Sequence, residues 1–308
     1  MTIRSLDLLD LPMIYRYRGE AMSLDAARAL TRGSPLGAIG LLAYMNPQRH
    51  VYSAVSTGEG ATLLGGVIQT NGDTYARLLY LAPVSSIAHP ELPTLIDNLS
   101  AEAGSWGAFH VLAELDEASP GFTALRRAGF SVCAGQRMWD VSGLTEAAAH
   151  TQWPRARSVN LPAIQSLHHQ IVPPLLQPIE PAPRQASGFI CQEGGPCYAS
   201  TSTGLNGMVV FPLIHPDAKD VAEKLTSLIH FLPNRGGRPI YVCVRTYQAW
   251  LEHVLEDLGA KPGPQQAVMV KHIARVVKEE QPVRARQPAG VTVQPSRVSR
   301  IEEKKQGP

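Results

Sequence analysis

The sequence predicts an α+β fold built twice in tandem, on three observations. Several short runs alternate apolar and polar residues with period two, the pattern of half-buried strands. Between them lie longer runs whose apolar residues recur at helical spacing. The order of these runs in the first half of the chain starts again near residue 157. A period of about 130–150 residues is far longer than that of stacked repeats, so it implies duplicated domains and not an array.

The elements follow in order. Residues 2–6 alternate as a first strand, and Asp10-Leu11-Pro12 opens a helix, an acidic cap before an early proline. A short second helix covers residues 24–30 and is broken by Pro35, Gly37 and Gly40. Residues 50–57, 62–70 and 74–82 form an antiparallel meander. Gly58-Glu59-Gly60 makes its first turn and Asn71-Gly72-Asp73 its second, where Asn and Gly tolerate positive φ. Leu92, Leu95, Ile96, Leu99 and Ala103 put one apolar stripe on a helix. Residues 109–115 are a buried strand. Ser119-Pro120-Gly121 opens a helix that Gly129 ends, and residues 131–141 are the last strand.

The second half repeats this order. Arg157-Ser158-Val159 echoes the first strand, and Asn160-Leu161-Pro162 echoes the first helix start. Residues 188–214 hold three short strands with glycine turns. Val221, Leu225, Leu228, Ile229 and Leu232 stripe a helix, and residues 239–244 are a buried strand. Residues 250–258 form a helix stopped by Gly259, and residues 265–273 a final strand. The division is therefore a first domain over residues 1–142, a linker over 143–156 and a second domain over 157–277. Residues 278–308 are a disordered tail, in which Arg284, Arg286, Arg297 and Arg300 stand among prolines. Such a tail either binds acidic partners or is simply solvated.

Composition narrows the function classes. With 308 residues, 44% hydrophobic and 18% charged, the chain can build about two cores. A net charge of +2 selects no partner, and nucleic acid is not expected. Strongly salt-dependent DNA binding through the tail would be the sign of the contrary. Residues 1–6 lack an apolar signal region, and the longest apolar run, residues 37–45, is too short to span a bilayer. A soluble cytoplasmic protein without membrane association is expected. Cys133, Cys191, Cys197 and Cys243 form no CxxC pair, which reads as reduced thiols over a metal or disulfide role. His168 and His169 are adjacent on a helix, point about 100° apart and cannot easily share a metal, so no metal site is expected. Neither a dinucleotide glycine fingerprint nor a nucleophile elbow is present.

The element order and the segment running from Ser119-Pro120-Gly121-Phe122 to Leu125 and Gly129-Phe130 resemble the GNAT acetyltransferase superfamily. The segment is similar to that family's Asn-Pro…Leu-Tyr…Gly-Phe helix, with Ser119 in place of Asn. The match covers residues 1–142 well and 157–275 more loosely. The resemblance implies a sheet wedge where the fourth strand splays from the fifth. Acetyl-CoA would lie there, its pantetheine arm on the end of the fourth strand and its pyrophosphate on a glycine-rich loop at a helix start. In this sequence the implied cofactor contacts are Leu81, Ala82, Val84, Ser85 and Ser86, with Ser119 and Phe122 flanking the thiol end. The loop is degenerate in both copies. Residues 84–93 contain no glycine but hold Pro90, Glu91 and Pro93, and residues 213–220 read Leu-Ile-His-Pro-Asp-Ala-Lys-Asp, with Lys219 a possible phosphate partner. The family's usual general-acid tyrosine falls on Leu125 and Leu255, which transfer no proton.

Catalytic candidates are Glu114 and Asp116 at the end of the fifth strand, either as general base or as a solvated strand end. Tyr80 is a further candidate acid. Tyr75 and Tyr80 differ by an odd number and are expected on opposite faces. Two functions remain open. One is an N-acetyltransferase acting with acetyl-CoA on an amine of a small molecule or protein, the first copy being the active one. The other is a catalytically inactive pseudo-acetyltransferase serving as a binding or interaction scaffold.

Overall fold

The computed structural model describes residues 2–37, 47–58, 61–144, 151–232 and 236–273. The tail expected to be disordered and linker residues 145–150 lie outside the described residues.

In the first half, β1 (Thr2–Ser5) precedes α1 (Leu11–Tyr17). Asp10 stands before α1, but its carboxylate makes no cap. It holds the Arg4 guanidinium in a two-pronged pair at 2.6 Å, tying the helix start to β1. A two-residue strand, β2 (Met22–Ser23), is followed by α2 (Ala26–Arg32), whose start is capped by Asp25 accepting from the Arg28 amide at 3.0 Å. The meander is β3 (Arg49–Gly58), β4 (Ala61–Thr70) and β5 (Tyr75–Ala82), with Gly72 at φ 87° in its second turn. Then come α3 (Leu92–Ser105), β6 (His110–Asp116), α4 (Pro120–Arg127) and β7 (Ser131–Asp140).

The second half begins differently from expectation. Residues 157–159 form no strand. The Asn160 side chain accepts from the Arg157 amide at 2.9 Å and winds Ser158–Asn160 into one 3-10 turn. Arg155 makes an isolated antiparallel bridge to Phe189. The rest is α5 (Leu161–Ile171), β8 (Phe189–Cys191), β9 (Cys197–Thr203), β10 (Met208–Ile214), α6 (Val221–Phe231), β11 (Ile240–Arg245), α7 (Trp250–Asp257) and β12 (Lys261–His272).

All these strands join one mixed sheet, in the order β1-β3-β4-β5-β6-β12-β7-β11-β10-β9-β8, with β2 attached to β5. The centre is a reciprocal exchange. β12, from the second half, lies between β6 and β7, while β7, from the first half, lies between β12 and β11. Each half completes its sheet with the other's last strand, and so β12 runs longer than its alternating stretch over residues 265–273.

The helical faces are apolar as their stripes require. Leu95, Ile96, Leu99 and Leu125 pack α3 and α4 on the first half. Leu225, Leu228, Leu251 and Leu255 pack α6 and α7 on the second. The opposite face is covered crosswise. Ala26 of α2 packs on Met138, Val209 and Cys243, and Val172, Leu176 and Ile179 pack on Leu112, Val268 and Val270. Among the described residues no helix is long and apolar enough to cross a membrane.

Candidate functional site

The sheet splays twice, once in each half. β5 and β6 pair in parallel only over Tyr75–Arg77 and His110–Leu112. β10 and β11 do so only over Met208–Val210 and Ile240–Val242. Beyond these short ladders the strand ends diverge and leave backbone groups that need partners.

In the first half the chain supplies its own partner. β2 enters the wedge antiparallel to β5, with Met22 opposite Leu81 and Ser23 opposite Tyr80. The Leu24 amide donates to Leu79 O at 2.9 Å, and Leu24 O accepts from the Glu114 amide at 2.8 Å. The segment thus bonds to both walls, and Leu24 is 1% exposed. In the second half the Gln248 carboxamide takes this place. Its Nε2 donates to Pro212 O at 2.9 Å and its Oε1 accepts from the Ile214 amide at 3.0 Å. Gln248 is 1% exposed. Leu79 stands two residues beyond the last paired residue Arg77, and Pro212 two beyond Val210. Leu81 and Ile214 are equivalent in the same way. Both wedges are therefore filled at matching backbone positions, once by backbone and once by a side-chain amide.

The two loops expected to face a pyrophosphate spend their amides internally. After β5, the amides of Ser86, Ile87, His89 and Leu92 donate to Pro83, Val84, Ser86 and His89 carbonyls, and Glu91 N–H donates to His89 Nδ1. After β10, His215 and Lys219 amides donate to Pro196 and Gly194, and Ala218 N–H to His215 O. Lys224 Nζ, buried, donates to the carbonyls of Gly194 and Lys219 at 3.1 and 2.6 Å. An anion cradle needs free N–H groups, and most of those in these two loops are engaged.

The residues singled out from sequence fall in distinct places. Leu81 and Ala82 are core residues at 1% exposure. Val84 and Ser85 are exposed, Ser86 is half-buried, and Ser85 Oγ donates to Glu20 at 3.2 Å. Ser119 caps α4 by accepting from Gly121 N–H at 3.2 Å and touches Met22 Sδ at 3.8 Å. Phe122 packs against the first-half core. Leu125 and Leu255 are fully buried. Tyr80 is buried and donates to Ser53 Oγ at 2.9 Å. Its face differs from expectation: β5 carries an extra residue opposite Gly66/Val67, Leu79, which resets the alternation. Tyr80 consequently lies with Ile68, on the face of Arg77 and Tyr75. Asp116 is half-buried, accepts from the Ala118 amide at 2.8 Å and lines a cavity of about 580 Å³ with Met22, Ser23 and Ser119. The four cysteines are free thiols. Among the described residues no group of His, Cys, Asp and Glu could hold a metal ion.

Glu114 is buried at the centre of an ion network. It receives Arg77 at 3.0 Å and Arg245 at 3.4 Å, and its Oε2 accepts from the Ala26 amide at 3.2 Å. Arg245 also pairs with Glu180 at 2.9 Å and donates to Gln136, while Tyr247 donates to Glu180 at 2.8 Å. Burial pushes the Glu114 carboxyl up, but Arg77 and then Arg245 outweigh it and hold it down at about 2. A carboxylate so acidic is a structural counter-ion and a weak base at neutral pH. The sequence carried one unread signal for this network. Arg77 and Arg245 stand in strands that are otherwise apolar, and a buried guanidinium demands a carboxylate.

Comparison with solved structures places the fold. A GCN5-related N-acetyltransferase from Sphaerobacter thermophilus superposes with a TM-score of 0.53 at 11% identity, covering 90% of this chain and 96% of that one. A tandem GNAT protein from the clavulanic acid biosynthesis pathway gives a TM-score of 0.50 at 13% identity, covering 90% and 99%. No family model and no curated protein matches the chain. The chain therefore has the α+β fold of GNAT acetyltransferases, in a tandem arrangement.

Proposed function

We propose that this chain is an acetyltransferase-fold protein that has converted both cofactor wedges into internal structure and serves as a cytoplasmic binding scaffold. One observation carries the reading: Leu24 on Leu79 and Gln248 on Pro212 and Ile214 occupy matching strand-end groups, the groups that the family resemblance assigns to the pantetheine arm. The engaged loop amides support it as well. Fold alone does not fix activity. The test is calorimetric titration of the full chain with acetyl-CoA. The reading expects no heat of binding at millimolar cofactor. Micromolar binding overturns it.

The second reading, an acetyl-CoA-dependent transfer to an amine of a small molecule or protein, is favoured by the acetyltransferase neighbours. In that case β2 leaves the wedge and acetyl-CoA bonds to Leu79 and Leu81. The cavity beside Met22, Ser119 and Asp116 would receive the acceptor, with Asp116 the nearest carboxylate to serve as base.

A further inference from the structure

On the face of the sheet opposite α3 and α4, two cavities meet at Tyr75, Arg77 and Phe211, which line both. The first, of about 230 Å³, gathers Arg28 and Arg32 from α2, Arg49 from the start of β3 and Arg77 from β5, with Thr70 and Ser202 between them. These elements are far apart in sequence, and the fold brings their guanidinium groups into one chamber.

The carboxylates lining the chamber are Asp25, Asp73 and Glu114. Asp25 pairs with Arg28 at 3.4 Å and Glu114 with Arg77 at 3.0 Å, and Glu114 is shared with Arg245. Among the described residues Arg32 and Arg49 make no ion pair. Like charges held together in a partly dry space repel. Burial first, then the nearness of Arg49, Arg32 and Arg77, pushes Arg28 down to about 10, with Asp25 acting the other way. Burial and Arg32 likewise push Arg49 down. An anion between these groups removes the repulsion.

The second chamber, of about 260 Å³, is walled by Val172, Ile179 and Leu213. His168 also lines it. That side chain is 5% exposed, and its Nδ1 is buried with no hydrogen-bond partner. Burial pushes its imidazole towards the neutral form. The chamber thus sets these apolar side chains and a neutral imidazole beside Tyr75, Tyr247 and the mutually paired Arg245 and Glu180.

We propose that the two chambers form one site for a small organic oxyanion, whose phosphate or carboxylate head is held by Arg28, Arg32 and Arg49 and whose uncharged body lies against Val172, Ile179 and His168. Guanidinium forks match such heads through paired N–H donors. Each chamber is smaller than the ~300–1,000 Å³ of a drug-sized ligand site, which fits a metabolite and excludes a nucleic-acid strand. The site shares Glu114, its counter-ion, and Pro212 with the wedges but neither Leu24 nor Gln248, so it stands whether or not acetyl-CoA binds.

The test is calorimetry on the full chain with three probes: inorganic phosphate, phenyl phosphate and phenylacetate. At least one aromatic probe binds more tightly than inorganic phosphate, and the better of the two assigns the head as phosphate or carboxylate. The Arg32→Gln/Arg49→Gln double variant weakens that probe by at least about tenfold, the equivalent of one charge-assisted hydrogen bond. Neither arginine has an ion pair to lose, and circular dichroism checks that the double variant folds. Ser200→Phe, which fills the second chamber from a half-buried wall position, reduces the aromatic probe to the level of inorganic phosphate. No binding of any probe at millimolar concentration overturns the proposal, and so does binding that the double variant leaves unchanged. Acetyl-CoA titrated into the same sample reads the wedge separately.

Discussion

Replacing Glu114 by Gln keeps the shape and removes the charge that buried Arg245 and half-buried Arg77 share. Glu114 is 4% exposed, and the Arg77 and Arg245 side chains are 29% and 10% exposed. The carboxyl is held at about 2, against 4.5 for the free group, which corresponds to about 3 kcal/mol of stability at neutral pH. The usual cost of breaking a buried pair, about 3–5 kcal/mol, agrees. For a chain of this size the melting temperature falls by roughly 6–12 °C. The assay is thermal unfolding by circular dichroism of both proteins between pH 7 and pH 3. The folded-state value lies below the unfolded one, so this stability is present above about pH 4.5 and is lost as pH falls towards 2. The gap between the proteins is therefore constant from pH 7 to pH 5 and narrows below. Asp25 acts oppositely: burial raises its carboxyl, so its contribution is present at low pH and lost as pH rises. The Glu114 charge adds to that rise, so the Asp25 contribution is smaller in the Gln variant. A gap below about 1 kcal/mol at pH 7, or one that widens on acidification, refutes the reasoning.

Three further perturbations test the packing. Gly121→Ala places a methyl 2.5 Å from Met22 Sδ and 3.1 Å from a Leu115 methyl. It costs about 1–3 kcal/mol in urea unfolding, and shortening Met22 in the same chain recovers most of it. Gln248→Ala strands the Ile214 amide and the Pro212 carbonyl and destabilises by about 2–4 kcal/mol, measured the same way. Burial pushes the Cys133 and Cys197 thiols up to about 11 and Cys243 to about 12. Native protein at pH 8 therefore reacts slowly with an aromatic disulfide reagent, and all four thiols react promptly in guanidinium.

The elements were legible because their signals are local. The stripe from Leu92 to Ala103 marks α3, Ser119 caps α4, and Gly72, Gly129 and Gly259 adopt positive φ where turns and helix ends need it. The family resemblance carried the architecture. What stayed hidden is non-local. Alternation in residues 131–141 and 265–273 tells which side chains face inward and does not name a strand's neighbours, so the exchange of β7 and β12 left no trace. β2 is two residues long, too short for any period, and its role depends on a wedge that exists only after folding. Gln248 reads as an ordinary residue ahead of a helix until β10 and β11 diverge around it. The odd spacing of Tyr75 and Tyr80 misled because the bulge at Leu79 adds one residue to the strand.

The most direct test of the filled wedges is amide hydrogen exchange at Leu24 and Ile214 in the free chain and with millimolar acetyl-CoA. The account predicts slow exchange at both amides, close to that of the core strands, and no change on adding acetyl-CoA. Rapid exchange in the free chain that acetyl-CoA then slows would contradict it, and would mean that the wedges open to receive the cofactor.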